Sequence, residues 1–239
     1  MTLASLAKNF INLIYPLHCA ICKKPLDPEA GGSVCRYCIL LLKRVPEPCC
    51  VSCGKPVDTA REQCKDCLAA KPAFSIARSA CLYEGAMKDL IRQFKYHGKL
   101  SLENQLSDIL IKYLKDNPQI TEGVAMVTFV PIGGDHMRKR GFNQSKALAR
   151  NVSKALGLRL ADCVDKIAST RSQNELSRED RLVNLSGAFR AKNSGAFYGL
   201  SILMVDDVMT TGTTLNECAK TLLRSGAGDV RCVTLARGS

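Results

Sequence analysis

The stretch Asp206-Asp207-Val208-Met209-Thr210-Thr211-Gly212-Thr213-Thr214 holds the residues best suited to chemistry. Two adjacent carboxylates are followed by four threonines set around one glycine. Glycine lets the backbone approach a ligand closely. A helix N-terminus behind the loop would add unpaired N–H groups and the positive end of a dipole, which suits a phosphate. The acids stand too near that loop to hold the phosphate themselves. They could accept hydrogen bonds from sugar hydroxyls, or help hold Mg²⁺. A phosphate beside a diol describes a 5-phosphoribosyl group. The plainer alternative, a strand end followed by a helix cap, explains single residues but not the whole string. A P-loop nucleotide site needs Gly-x-x-x-x-Gly-Lys-Ser/Thr, and the chain contains none.

The elements around this string follow from its neighbours. Ile202 to Val205 is an apolar run that reads as a buried strand of a parallel sheet, ended by the acidic pair. Leu215, Cys218, Leu222 and Leu223 then recur at helical spacing. Val124 to Val130 reads as a second strand. It runs into Pro131-Ile132-Gly133-Gly134-Asp135, a loop placed at the carboxyl edge of the sheet, where its N–H groups could meet a pyrophosphate. Arg138, Lys139 and Arg140 follow, either as cations for an anion or as a solvated basic turn. Ala147, Leu148, Val152 and Leu156 mark the next helix. Upstream, Ser79 to Tyr83 reads as a strand. Met87, Leu90, Ile91 and Phe94 mark a helix ending at Gly98, and a further helix runs from Ser101 to Lys115. Asp229 to Leu235 reads as the last strand. Residues 165–190 are polar and read as a long loop with a partial helix, a length usually found in lids or disordered segments.

Eight cysteines form pairs in the first third: Cys19 and Cys22, Cys35 and Cys38, Cys50 and Cys53, Cys64 and Cys67. A Cys-x-x-Cys turn sets two thiolates on one side, and two such turns complete an S₄ site for Zn²⁺. Redox and iron–sulfur readings are the alternatives. The count allows one or two zinc ions. Short inner loops favour sequential pairing, with Cys19, Cys22, Cys35 and Cys38 in one site and Cys50, Cys53, Cys64 and Cys67 in the other. Cross-braced pairing would interleave them. Metal binding would supply folding energy where apolar residues are scarce. Cys81, Cys163, Cys218 and Cys232 sit in apolar contexts and read as packing residues.

The chain has 239 residues, 13 Cys, no Trp and a formal charge of +12. That charge favours anionic partners such as phosphorylated metabolites or nucleic acid. The apolar residues Leu3, Leu6, Phe10, Leu13 and Ile14 lie at helical spacing in a stretch too short and too broken to span a bilayer. Cytoplasmic location is the expectation, since paired cysteines without a secretion signal read as metal ligands. Ala69-Ala70-Lys71-Pro72 reads as a boundary. It divides an N-terminal helix and double zinc-knuckle domain (1–70) from the remainder (71–239).

The motifs together carry a resemblance. The Cys pairs, Tyr83-Glu84-Gly85, Phe94-Lys95-Tyr96, Val130-Pro131, Arg140-Gly141-Phe142-Asn143-Gln144, Arg171 to Leu176, Gly187-Ala188-Phe189 and the Asp206-to-Thr214 string are similar to the ComF family of the ComFC/GntX type. Many of its members look like Val-Pro-Val-Pro where this chain has Val130-Pro131-Ile132-Gly133-Gly134. The resemblance implies an α/β chain: a type I phosphoribosyltransferase fold, with a Rossmann-like parallel-sheet core, behind a small zinc-finger domain. It also implies a site for 5-phosphoribosyl 1-pyrophosphate (PRPP) with Mg²⁺. Asp206 and Asp207 would take the ribose hydroxyls. Thr210, Thr211, Gly212, Thr213 and Thr214 would take the 5-phosphate. The pyrophosphate loop would hold Pro131, Ile132 and Gly133, with Arg140, Arg171 and Gln173 closing over it. The resemblance further implies a role in DNA uptake during competence or in nucleotide metabolism, with single-stranded DNA and a competence helicase or other DNA-processing proteins as partners. Three functions are open at this stage: pentosyl transfer to an unknown acceptor, sensing of PRPP or a nucleotide without turnover, and handling of single-stranded DNA on a basic surface.

Overall fold

The computed structural model describes residues 17–27, 32–60, 62–96, 101–167 and 187–238. The apolar stretch before Leu17, Gly98, Arg171 and Gln173 lie outside them. In chain order the elements are α1 (Arg36–Leu40), α2 (Lys65–Ala70), β1 (Ile76–Leu82), α3 (Gly85–Tyr96), α4 (Ser101–Asp116), β2 (Met126–Phe129), α5 (Gly134–Arg140), α6 (Gln144–Leu156), β3 (Arg159–Leu160), β4 (Val164–Lys166), β5 (Phe189–Ala191), β6 (Ser201–Met209), α7 (Thr213–Arg224) and β7 (Asp229–Arg237).

Five strands make one sheet in the order β1-β7-β6-β2-β3, and every pairing in it is parallel. Parallel strands buried on both faces need apolar residues on both. β6 meets that need. Leu203 and Val205 join α3, α4 and α6 in one core, while Ile202 and Met204 join α7 in the other. β4 and β5 form a separate antiparallel pair beside α7.

One local expectation is corrected. The acidic pair does not end its strand: β6 runs on to Met209 because its pairing with β7 continues through Asp206–Thr234 to Met209–Arg237. Neighbour β2 stops sooner, with Val130 N–H donating to Val205 O at 3.1 Å. Arg138 to Arg140 form the last turn of helix α5, with Arg138 and Lys139 exposed and Arg140 half-buried, and three cations there suit the negative end of its dipole.

The cysteine-rich third reaches both cores. Cys19, Val34, Cys38 and Leu42 are buried with the α3/α4/α6 layer, and Cys50, Cys53, Cys64 and Cys67 with the α7 layer. Two side chains grip its flanks. Gln105 of α4 bonds Ser33 N, Val34 N and Val34 O at 2.6–2.8 Å. Asn216 of α7 accepts from Ala73 N at 2.7 Å. The same third also covers β1, the sheet's edge. Leu82 N–H donates to Lys43 O at 2.8 Å and Ala77 N–H to Ser52 O at 2.6 Å. An uncovered edge would be a template for aggregation.

Candidate functional site

The site lies where β2 leaves the sheet while β6 continues. A crevice at the carboxyl ends of parallel strands is where open α/β folds bind ligands. Asp206 and Asp207 stand at that point and both are buried. Ser145, one residue into α6, donates to Asp206 Oδ1 at 2.6 Å, and Asp207 N–H donates to the same oxygen at 2.9 Å. Burial and the adjoining Asp207 push the Asp206 carboxyl well above the usual carboxylate range. Asp207 meets the Lys95 ammonium of α3 at 2.7 Å. Burial works against the charge on Lys95, but Asp207 outweighs it and its pKa is raised.

Asn143 fixes this arrangement. Its Nδ2 donates to Val130 O at 3.1 Å, and its Oδ1 caps α6 by accepting from Lys146 N–H at 3.2 Å. One side chain therefore joins the end of β2 to the start of the helix that presents Ser145. Nearby, Phe94 packs edge-on against Phe142 with ring centroids 5.4 Å apart. That contact holds the end of α3, and with it Lys95, against the Arg140-to-Gln144 segment.

The threonine loop after β6 is short. Thr210 and Thr211 are exposed, Gly212 and Thr213 buried, and Thr214 half-buried. Gly212 has φ +77, a region glycine enters without strain, and a Cβ there would meet Met209 Cε at 2.7 Å. α7 then begins at Thr213, whose hydroxyl lies 2.8 Å from that of Thr211.

Pro131, Ile132 and Gly133 bridge β2 and α5, so they border the same crevice. Arg140 donates to Gln144 Oε1 at 3.1 Å. Lys166 of β4 comes over this loop, its Cδ 3.7 Å from where a Gly133 Cβ would stand. His136 is held below its usual pKa by burial and by Arg140, Lys166 and Lys139. Three cations therefore act on His136, opposed by Asp135. Sequence reasoning assigned no site role to Lys95, Ser145 or Lys166. A buried acidic pair calls for a nearby cation, but no local spacing says which lysine supplies it.

The eight paired cysteines gather into two clusters, Cys19/Cys22/Cys35/Cys38 and Cys50/Cys53/Cys64/Cys67, each with its sulfurs within 4.8 Å of one another. The pairing is sequential. Sulfurs at zinc–thiolate distance on a tetrahedron stand about 3.8 Å apart. The Cys22 and Cys35 sulfurs are 3.8 Å apart and those of Cys53 and Cys64 3.7 Å, so both sets fit structural zinc. In each, the first thiol accepts a backbone N–H, Cys19 from Cys35 at 3.4 Å and Cys50 from Cys64 at 3.2 Å. Burial alone would raise these thiols, yet such N–H groups bring both down to about 6, while burial pushes Cys38, Cys53 and Cys67 of the same clusters up. Cys81, Cys163, Cys218 and Cys232 are buried packing residues. No helix among the described residues is long and apolar enough to cross a membrane.

The double zinc ribbon domain family matches residues 10–68, and the phosphoribosyl transferase domain family matches residues 140–239. Competence protein F of Haemophilus influenzae is 29% identical over 233 residues, covering 96% of this chain and 99% of that protein. DNA utilization protein YhgH of Escherichia coli is 31% identical over 229 residues, covering 94% and 99%. Competence protein ComFC of Streptococcus pneumoniae is 29% identical over 206 residues, covering 85% and 87%. With its parallel-sheet core, its two S₄ clusters and this similarity along nearly its whole length, the chain belongs to the ComF/YhgH family of phosphoribosyltransferase-fold proteins with a double zinc ribbon.

Proposed function

We propose that the crevice between β2 and β6 binds a 5-phosphoribosyl ligand, PRPP with Mg²⁺. The observation that carries this reading is the continuity of one strand, two fixed carboxylates, a hydroxyl loop and a helix N-terminus at the carboxyl edge of a parallel sheet. The 5-phosphate would take the hydroxyls of Thr210, Thr211, Thr213 and Thr214 and the N–H groups opening α7. Asp206 and Asp207 would accept from the ribose hydroxyls. Pro131 to Gly133, with Arg140 and Lys166 beside them, would face the pyrophosphate. Mg²⁺ bound with the ligand would neutralise charge on the departing pyrophosphate. The protein's own part is to align the sugar and set cations where negative charge grows.

The relatives' names tie those proteins to competence and to DNA utilization. We place this chain in the same setting. Its charge of +12 supports contact with nucleic acid as a second property. Affinity for single-stranded DNA that falls steeply with salt is the expected sign of such contact.

The test is calorimetric titration of PRPP with Mg²⁺ into the zinc-loaded protein and its Asp206→Asn variant. Asparagine keeps an acceptor for Ser145 and removes a charge that burial opposes, so the fold survives. Wild type binds one PRPP per chain, and the variant binds on the order of tenfold to a hundredfold more weakly, the worth of a charged hydrogen-bond acceptor. Equal affinity in both, or none in wild type, overturns the reading. Pyrophosphate release then separates transfer or hydrolysis from sensing.

A further inference from the structure

The acidic pair already has a cation. Lys95 Nζ stands 2.7 Å from Asp207 Oδ2, with the two side chains 18% and 10% exposed. Its placement is built rather than incidental. α3 is anchored by Leu90, Ile91 and Phe94 in the core, and the Phe94–Phe142 contact fixes its last turn. Asp206 spends one oxygen on Ser145 Oγ and on Asp207 N–H. A divalent ion needs several oxygen ligands at 2.0–2.6 Å. Two buried carboxylates without a counter-charge would attract one strongly. Here the ammonium sits on Asp207, the same acid such an ion would use.

We propose that Lys95 is the resident counter-ion of the Asp206–Asp207 pair and determines the site's cation specificity: it excludes a bare divalent ion, so that metal enters only with an anionic ligand that brings its own oxygens. This deepens the phosphoribosyl reading and rests on that reading's placement of the sugar at the acidic pair. It makes Lys95 a positioning residue. The lysine holds Asp207 aimed, offsets charge on the acidic pair in the unliganded protein, and prevents idle occupation by metal.

The test uses Mn²⁺ alone as probe, read by electron paramagnetic resonance on the zinc-loaded full chain. Wild type and Lys95→Arg leave added Mn²⁺ free. Lys95→Met and Lys95→Gln each gain one Mn²⁺ per chain with affinity at least tenfold above wild type. Adding Asp207→Asn to Lys95→Met abolishes the gain. Folded neutral variants that bind Mn²⁺ no better than wild type overturn the proposal. A measurement on the unaltered protein guards against misfolded variants: Mn²⁺ leaves the Lys95 methylene and Asp207 amide NMR signals unbroadened, and selective broadening there overturns it as well. Failure of the phosphoribosyl reading has a different sign, namely no binding of PRPP with Mg²⁺ to wild type. The Mn²⁺ series passes or fails independently of that result.

Discussion

The two zinc ribbons are one design in two settings. Shifted by 31 positions, Cys19 and Cys22 fall on Cys50 and Cys53, and the hydrogen bonds repeat. Cys19 N–H donates to Lys24 O at 2.9 Å and Cys50 N–H to Lys55 O at 2.7 Å, while Lys23 N–H returns to Cys19 O and Gly54 N–H to Cys50 O. Lys23 and Gly54 occupy the same left-handed corner, φ +61 and +68. They differ because of what lies outside. A Cβ on Gly54 would stand 3.0 Å from Ala77 O of β1, so the second ribbon takes glycine where it meets the sheet edge. The first ribbon turns this corner to solvent and carries a lysine, with Cys22 also exposed. The second is buried at all four cysteines. It also receives Arg237 of β7, whose guanidinium donates to Cys53 O at 2.5 Å and lies 3.6 Å from Cys53 Sγ. Identical metal chemistry thus stands half in the core and half toward solvent in the first ribbon, and wholly inside the core in the second.

That difference is open to attack at several strengths. The largest effect is expected from Cys53→Ser, which removes a ligand from the buried cluster. It should cost on the order of 4 kcal/mol or more, whereas Cys22→Ser costs about half as much in chemical denaturation. The same asymmetry should appear on chelation, with the first ribbon giving up zinc before the second in a dye-release time course. Equal costs and equal release would erase the distinction. Next comes Arg237→Met. It leaves Cys53 O without its buried donor and the thiolate cluster without its nearest guanidinium, at about 2–3 kcal/mol. Gly54→Ala follows, at about 1–2 kcal/mol for the left-handed backbone and the close Ala77 carbonyl. Lys23→Gly at the matching corner should move stability by no more than about 0.5 kcal/mol. Similar values for the two corners would contradict the account of their environments.

The smallest effect is at the crevice beside the acidic pair. Burial, Arg140, Lys166 and Lys139 hold His136 below the ordinary imidazole range, because each disfavours the protonated form. An anionic ligand in the pyrophosphate loop would screen those cations and favour imidazolium. The His136 pKa should therefore rise on ligand binding, as an NMR pH titration would report. No change would place the anion elsewhere.

The legible parts of this protein are those written in local spacing. The Cys-x-x-Cys pairs reported both metal sets, and short loops between them reported sequential pairing. The apolar run from Ile202, the acids, the threonine loop and the apolar spacing from Leu215 reported strand, loop and helix in order. The misjudged parts depend on partners far along the chain. Whether Asp206 ends β6 or lies inside it depends on β7 pairing as far as Arg237 and on β2 leaving at Val130. Lys95 acquires its role from an acid 112 positions away, and Lys166 from the turn at Gly133. Lys23 and Gly54 differ in residue type for a reason visible only once β1 lies against one of them. Arg171 and Gln173 lie outside the described residues.

Binding of a phosphoribosyl group at the acidic strand and hydroxyl loop is the property proposed for this protein. The most direct test is an amide NMR titration of the zinc-loaded protein with PRPP and Mg²⁺. Saturable shifts are expected at Asp206, Asp207, Thr210 to Thr214 and Gly133, with the ribbons unmoved. Shifts confined to the ribbons or to other surfaces, with the acidic strand and hydroxyl loop unmoved, would overturn the phosphoribosyl reading.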